Sequence, residues 1–536
     1  MTLDVVIRNA RVIDGTGAPW FPASVGIANG CIAAISRGDP LPAGVLDFDV
    51  HGHYLTPGFI DIHRHSDWTL LVGPSAESAL EQGLTTEVIG NCGYGPAPAV
   101  DRKRVEQNIL AHSADDGVEI DWTSFGEFLD RLDHDLAVTV VPLVAHGPIR
   151  TSVMGVSDRE ARPEEVARMC YWVDEALDSG AFGISTGLEY PPYRTASTTE
   201  EITALCARVG AKGRLYATHV RERWFEIVPA VTEAVAIARA SGARLHISHI
   251  TARALARHLT EPLLTICEDA RNTGLSVSFD TYPYEWALGP GYELLPPWAV
   301  AGPLEQFVQR FSDLDFRRRV EAAHAENLVR WVQLGQWDKI RIVSAPNSQD
   351  AVGRTVAELA RDSGRSPWDV VFDLFAAAGD LYPNIVQITQ TLDWEDLLLT
   401  VSDPSCSLGS DAVTLARQGP LQDRSLHPGS YGFVPRVLDE FVMSRHVLSF
   451  EEAVRRITSL PAGQLGLWDR GLIRPGCTAD LVVIDPERVC DNTSWTDFNA
   501  RPSGFDYVLV NGKLAVENGR ATGVRGGGVL RCLAHA

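Results

Sequence analysis

Between residues 57 and 411 the chain repeats one pattern, a short apolar run of strand length followed by a stretch with helical periodicity. Strand-like runs fall near 58–65, 85–90, 137–145, 182–187, 214–219, 244–249, 275–280 and 405–411. Of the helical stretches between them, "PEEVARMCYWVDEALDSG" has Pro163 near its start, where a missing N–H costs nothing, and ends at Gly180. "WFEIVPAVTEAVAIARASG" also closes on a glycine, with Pro229 in its first turns. Eight buried strands alternating with helices predict an α/β fold of the (β/α)8 TIM-barrel type.

The two ends of the chain read differently. Residues 1–56 hold "DVVIRNARVID", "ASVGIANGCIAAIS" and "GHYLTP", short strands with Asn29-Gly30 as a hairpin turn. Residues 470–536 hold "ADLVVID" and "YVLVNGKLAVENG", with Asn511-Gly512 as a second tight turn. Neither segment is large enough for a core of its own, so the two are expected to pair into one discontinuous β-sandwich around a barrel of residues 57–469. The stretch from about 281 to 345 ("YPYEWALGPGYELLPPWAV", then helical) breaks the rhythm and reads as an insertion after strand seven, on the active-site side.

Composition narrows the partners. The 536 residues carry a net charge of -22, which disfavours nucleic acid or anionic lipid as a partner of any general basic surface. No apolar run approaches a membrane span, and the N-terminus lacks a basic region followed by an apolar one. The nine cysteines are scattered and odd in number, against a secreted disulfide framework. A cytoplasmic protein acting on a small-molecule substrate is expected, with no indication of its oligomeric state.

In a barrel, chemistry sits at the C-terminal ends of the strands. Strand one ends in "IDIHRH", where period-two alternation puts His63 and His65 on one face and Arg64 on the other. Strand two ends in "TTEVIGNCGYGPAP", with Cys92 in a glycine-rich turn; strand five in "LYATHVRER", with His219; strand six in "RLHISHIT", with His246 and His249; strand eight in "SLGSDAV", with Asp411. Singly, each has an ordinary reading as a rim histidine, a buried small cysteine or a helix-capping aspartate. Together, at successive strand ends, they point to a shared metal ion. Imidazole, thiolate and carboxylate suit zinc. A metal ion activates water and polarises a carbonyl oxygen, and a nearby carboxylate can carry the proton to a leaving amine. That chemistry hydrolyses an amide or a related acyl bond.

These motifs resemble the amidohydrolase superfamily and, within it, the N-acyl-D-amino-acid deacylases (D-aminoacylases). The likeness runs through "PGFIDIHRH", "TTEVIGNCGYGPAP", "GISTGLEYPP", "DTYPY", "GSDA", "YGFVPRVL" and the closing "EEAVRRITSLPAGQLGLWDRGLIRPGCTADLVVID". The resemblance implies a tighter zinc held by Cys92, His219 and His249. It implies a second, weaker position at His63 and His65 that Cys92 also reaches, and Asp411 as a metal ligand and the general base and acid. His246 has no role in the resemblance; three residues before His249, it is expected on the opposite face as a structural residue.

The chain departs from the resemblance where the deacylases hold their substrate's free carboxylate. Thr251, Leu288 and Gly429 stand where a lysine, a serine and an arginine are usual, while Tyr190 and Tyr282 (or Tyr284) are kept. Either the substrate lacks a free carboxylate, or another arginine, from Arg64, Arg221, Arg223, Arg424 and Arg436, has taken over. Trp286, Tyr292, Pro296, Pro297 and Trp298 either line an apolar pocket or pack the insertion on the barrel. The expected activity is zinc-dependent hydrolysis of an acyl C–N bond with altered substrate choice. The rival is an ester, lactone, carbamate or cyclic-amide hydrolase on the same site. A non-catalytic scaffold would have lost ligands, and none is missing.

Overall fold

The structure, a computed structural model, describes residues 2–110, 116–190, 194–299, 310–327, 329–424 and 426–533. Eight parallel strands build the barrel: Phe59–Asp61, Leu84–Ile89, Thr139–Pro142 continued by Val144–Ala145, Gly183–Gly187, Leu215–His219, Arg244–Ile247, Val277–Thr281 and Cys406–Leu408. Each pairs with the next in chain order up to the seventh, which pairs with the eighth across the inserted chain. The first and eighth strands meet just beyond their ends, where Asp411 N–H donates to His63 O at 3.0 Å and His65 N–H to Ala412 O at 2.9 Å. The closing seam of the barrel therefore runs through candidate ligands.

The strands are shorter than the apolar runs. The sixth stops at Ile247 and the eighth at Leu408, short of His249 and Asp411, because these two residues take left-handed φ values of 36° and 50° that no strand accommodates. The two long helices follow the expected bounds, Pro163–Asp178 and Ile227–Ser241, the latter closed by Gly242 in the left-handed conformation.

Both chain ends form one nine-stranded mixed sheet, the β-sandwich part of the fold. Its midline is Tyr54–Pro57, parallel to Leu3–Val12 on one side and antiparallel to Leu481–Ile484 on the other. Strand alternation divides the burial: Leu481 and Val483 join Val5, Ile7, Val25 and Leu55 in the sandwich core, whereas Val482 and Ile484 face the barrel core. Asn29-Gly30 and Asn511-Gly512 each have two successive left-handed residues, the geometry of a two-residue hairpin turn. Near the C-terminus, Gly528–Val529 returns to pair with the third barrel strand.

Between the seventh and eighth strands lies a unit with its own antiparallel sheet of Trp286–Pro290, Val386–Gln390 and Ile340–Ser344. Its separate core contains Leu294, Phe311, Phe316, Trp331, Trp337, Trp368, Phe372 and Phe375. The middle strand of this sheet falls at 386–390, well past the expected end near 345. The helices Val356–Ser363 and Pro367–Ala378 have the periodicity of barrel helices, so the chain gives no local sign that they pack on this second core. We propose residues 1–56 with 470–536 as one domain and 57–469 as the other, the inserted unit reaching to about Leu392, whose N–H returns to Glu285 O. Among the described residues, no helix is long and apolar enough to cross a membrane.

Candidate metal centre

Three turns carry the centre, and in each the key residue is left-handed. Cys92 (φ 52°) follows Gly90 (φ 80°), His249 has φ 36° and Asp411 has φ 50°. Non-glycine residues are held in this region only where the surroundings over-determine them, and such residues concentrate at functional sites. Around Cys92 the determinants are visible. Asn91 Nδ2 donates to Val88 O at 2.9 Å and Arg64 O at 3.3 Å, and Gly93 N–H donates to Ser185 Oγ at 3.0 Å. A Cβ on Gly90 would lie 2.0 Å from Leu143 O, so only glycine lets the second-strand turn approach the third strand.

The six donor residues converge. Cys92 Sγ lies 3.2 Å from His63 Nε2 and 3.4 Å from His249 Nε2. His219 Nδ1 lies 3.1 Å from His249 Nε2. Asp411 Oδ1 lies 3.1 Å from His65 Nε2 and 3.5 Å from His63 Nε2. Three sets of ligand atoms fall within 4.8 Å of one another: His63, His65 and Cys92; Cys92, His219 and His249; and His63, His249 and Asp411. The first two bring together the residues that the resemblance assigns to a weaker and a tighter metal position.

The outer ring nitrogens show which atoms are left to face a metal. His63 Nδ1 is 3.0 Å from Asp280 Oδ2, and His219 Nε2 is 2.7 Å from Glu189 Oε2. Each carboxylate accepts a hydrogen bond from the outer ring N–H, so the inward nitrogen is the one left to face a metal. His65 Nδ1 and His249 Nδ1 are buried and have no hydrogen-bond partner among the described residues. Burial opposes a thiolate at Cys92, but His63 and His249 outweigh it and hold the thiol well below its usual pKa. Asp411 is likewise held well below the carboxylate range, burial being overcome by His63, His65 and His249. A thiol with a lowered pKa, a carboxylate and imidazoles with inward-facing nitrogens form a donor set that fits zinc.

Asp280 ties this arrangement together. Besides His63, its carboxylate meets His246 Nε2 at 2.8 Å and accepts the His249 N–H at 2.6 Å. His246 therefore points into the barrel, not to the opposite face as its spacing from His249 implies, because the left-handed turn at His249 interrupts period-two alternation. Asp280 and Glu189 lie outside the residues that the sequence marks as candidates. Asp280 had a legible signal, a carboxylate at the end of the seventh strand in "DTYPY"; Glu189, in a loop, had none.

The substrate-side residues divide. Tyr190 Oη is 2.9 Å from His219 Nδ1, and the two rings lie 4.5 Å apart. Tyr282 is buried with its ring 6.3 Å from His249, and its hydroxyl is 3.3 Å from Thr391 Oγ1. Tyr284 instead packs against His427. Thr251 is buried, its hydroxyl bonded to those of Thr281 and Thr400. Leu288 lines a cleft of about 670 Å³ that reaches His65 and Asp411 between the inserted sheet and the barrel rim. Pro290, Tyr292, Val343, Val386 and Val413 make much of its wall apolar. Gly429 is buried beside His427, its carbonyl accepting from Arg64. Trp298 packs edge-on against Phe316 of the inserted core, whereas Trp286 packs edge-on against Trp495 of the C-terminal segment.

None of the five arginines considered as a replacement clamp is uncommitted. Arg64 is buried among Asp61, Glu87 and Thr414; Arg221 is paired with Glu233; Arg223 donates to His249 O and Thr251 O. Arg424, on the cleft wall, pairs with Asp116, and Arg436 donates to Pro283 O.

Against known proteins, the sequence matches the amidohydrolase family over residues 48–516. It is 32% identical to an N-acyl-D-aspartate deacylase of Alcaligenes xylosoxydans xylosoxydans, covering 98% of this chain and 95% of the relative. The structure resembles that of an N-acyl-D-glutamate deacylase from Bordetella bronchiseptica complexed with zinc and a phosphonate mimic of the tetrahedral intermediate. Its TM-score is 0.80 at 27% identity, over 99% of this chain and 100% of that one. A D-aminoacylase structure described with a binuclear metal centre gives a TM-score of 0.78 at 29% identity, over the same shares of the two chains.

Gly90→Ala tests the packing of the Cys92 turn. The left-handed φ alone costs about 1–3 kcal/mol, and the clash with Leu143 O adds to it. The variant is expected to unfold at a clearly lower temperature than the parent, by circular dichroism. An unchanged midpoint would show that the turn is not constrained there.

Proposed function

The chain belongs to the amidohydrolase family and is a metal-dependent hydrolase of carbon–nitrogen bonds other than peptide bonds, and from that premise we propose that it hydrolyses the amide of an N-acyl compound lacking a free carboxylate. The observation that carries the chemistry is the convergence of Cys92, His219 and His249 with His63, His65 and Asp411 at one end of the barrel. Zinc held tightly by Cys92, His219 and His249, with a weaker second position at His63 and His65, would supply water activation and carbonyl polarisation there.

Asp411 carries the proton. His63, His65 and His249 hold its carboxyl well below the usual carboxylate range, and in its ionised form it can accept the proton of the attacking water. The water oxygen bonds to the acyl carbon, the C–N bond breaks, and the same carboxyl returns the proton to the leaving nitrogen. The Asp411 N–H bond to His63 O and the contacts with His63 and His65 fix the carboxylate over the centre. Tyr190 and Tyr282 flank His219 and His249 and bound the space for the acyl group.

Two of the relatives named above are deacylases of N-acyl-D-aspartate and N-acyl-D-glutamate, both carboxylate substrates. In this chain Thr251 is committed to Thr281 and Thr400, Leu288 presents an apolar side chain to the cleft, and Gly429 presents none. The five arginines considered are held by other groups. A carboxylate buried here would meet no partner among these residues, whereas an uncharged substrate escapes the penalty.

Asp411→Asn is expected to keep the fold and the tightly bound metal while turnover falls by about 10²- to 10⁴-fold, since the amide cannot accept the proton. Near-parental turnover with metal in place would remove Asp411 as the base.

For substrate choice, one N-acyl amino acid is compared with its methyl ester and primary amide. An unpaired charge in a water-poor pocket costs on the order of 2–5 kcal/mol, so the free acid should be worse in kcat/KM by roughly 30-fold or more. A clear preference for the free acid would show that a clamp has been rebuilt.

A further inference from the structure

We infer that Glu189 and Arg253 are positioning residues that fix His219 for metal binding and thereby set the affinity of the Cys92–His219–His249 position. The inference rests on the proposed metal centre and assigns two residues outside its ligand set.

His219 ends the fifth barrel strand, and the loops after the fourth and sixth strands flank it. Glu189 stands two residues beyond the fourth strand, and Arg253 four residues beyond the ligand His249. The pair closes these two loops over the imidazole. Arg253 NH1 donates to Glu189 Oε1 and NH2 to Oε2, both at 2.9 Å, and Oε2 also accepts the His219 Nε2 proton at 2.7 Å. The bidentate fork fixes the carboxylate in two directions, and the carboxylate fixes the ring with Nδ1 turned toward Cys92 and His249.

The arginine is seated in turn. Its backbone N–H donates to Arg223 O, and Arg223 donates to His249 O at 2.7 Å, so the loop bearing His249 is stitched to the one after His219. Its guanidinium lies 5.1 Å from the centre of the Trp224 ring, which packs edge-on against Trp331 in the core of the inserted unit. Arg253 thus connects the inserted core to a metal ligand. The side chains are only 20% and 17% exposed, so the pair is largely shielded from water and salt.

A carboxylate behind a ligating histidine holds the tautomer and raises the ring's basicity, and its loss typically weakens metal affinity by about 10- to 100-fold. The test uses full-length protein and zinc, with affinity measured by competition against a chromophoric chelator. Glu189→Ala is expected to weaken zinc binding by about 10- to 100-fold. It should also shift the visible d–d bands of the cobalt(II)-substituted protein, because the ligand field at His219 changes. Arg253→Met should weaken zinc in the same direction, and the double variant should be no worse than Glu189→Ala, because Arg253 acts through Glu189. Thermal unfolding of the metal-free variants separates positioning from general stability.

Zinc affinity within twofold of the parent and an unchanged cobalt spectrum for Glu189→Ala would overturn the inference. So would a lowered metal-free midpoint with unaltered affinity. Should Glu189→Ala fail to fold, Glu189→Gln, of the same size, is judged by the same criteria. A parent protein that retains no zinc would remove the proposed metal centre and this inference with it; a parent that binds zinc tightly beside unaffected variants overturns this inference alone.

Discussion

A thiolate, a carboxylate and four imidazoles crowd into one end of the barrel, with the ligating atoms of each three-residue set within 4.8 Å of one another. Removed from water, such groups are costly unless every charge and lone pair has a counterpart. Asp280 and Glu189 supply counterparts on the outer side of two rings, and the proposed metal ion would supply the counterpart on the inner side. Much of the local architecture serves this balance. Asp280 reaches His63, His246 and the backbone of His249, so strands one, six and seven are tied at one carboxylate. Arg253 restrains Glu189, and Arg223 restrains the His249 turn. The left-handed conformations of Cys92, His249 and Asp411 are the backbone cost of aiming three side chains from three strands at one place.

Much of this was legible in the sequence, because each signal was local. Apolar runs marked the barrel strands, Asn-Gly pairs marked the two hairpins, and His63, His65, Cys92, His219, His249 and Asp411 stood out as metal-binding residue types at strand ends. What stayed hidden depends on contacts between distant residues. His63 and Asp280 are 217 positions apart, and nothing in either segment announces the pairing. The inward turn of His246 follows from the φ of His249, which period-two reasoning cannot anticipate. Thr251 stands in the sequence where the deacylases carry a lysine, and its burial on Thr281 and Thr400 emerges only once the sixth- and seventh-strand loops are packed on the helix Trp394–Ser402. The inserted unit continues past residue 345 because its helices carry the same amphipathic period as the barrel's and differ only in the core they cover.

The contrast between a complete donor set and a depleted substrate rim carries the functional argument. Metal chemistry tolerates little variation in its ligands, while the loops over a barrel can change without disturbing the strands beneath them. The inserted sheet contributes Leu288, Pro290, Val343 and Val386 to the cleft beside His65 and Asp411. On the proposed function, this wall would favour uncharged, apolar groups through burial over a carboxylate.

The proposed function requires a zinc ion held by Cys92, His219 and His249. Elemental analysis of protein dialysed against metal-free buffer tests it most directly. The account predicts at least one zinc per chain in the parent and its loss in both Cys92→Ala and His219→Ala, with progressive release from the parent on acidification as protons compete for the ligands. Full zinc occupancy in both variants, or a parent that holds none, would contradict it.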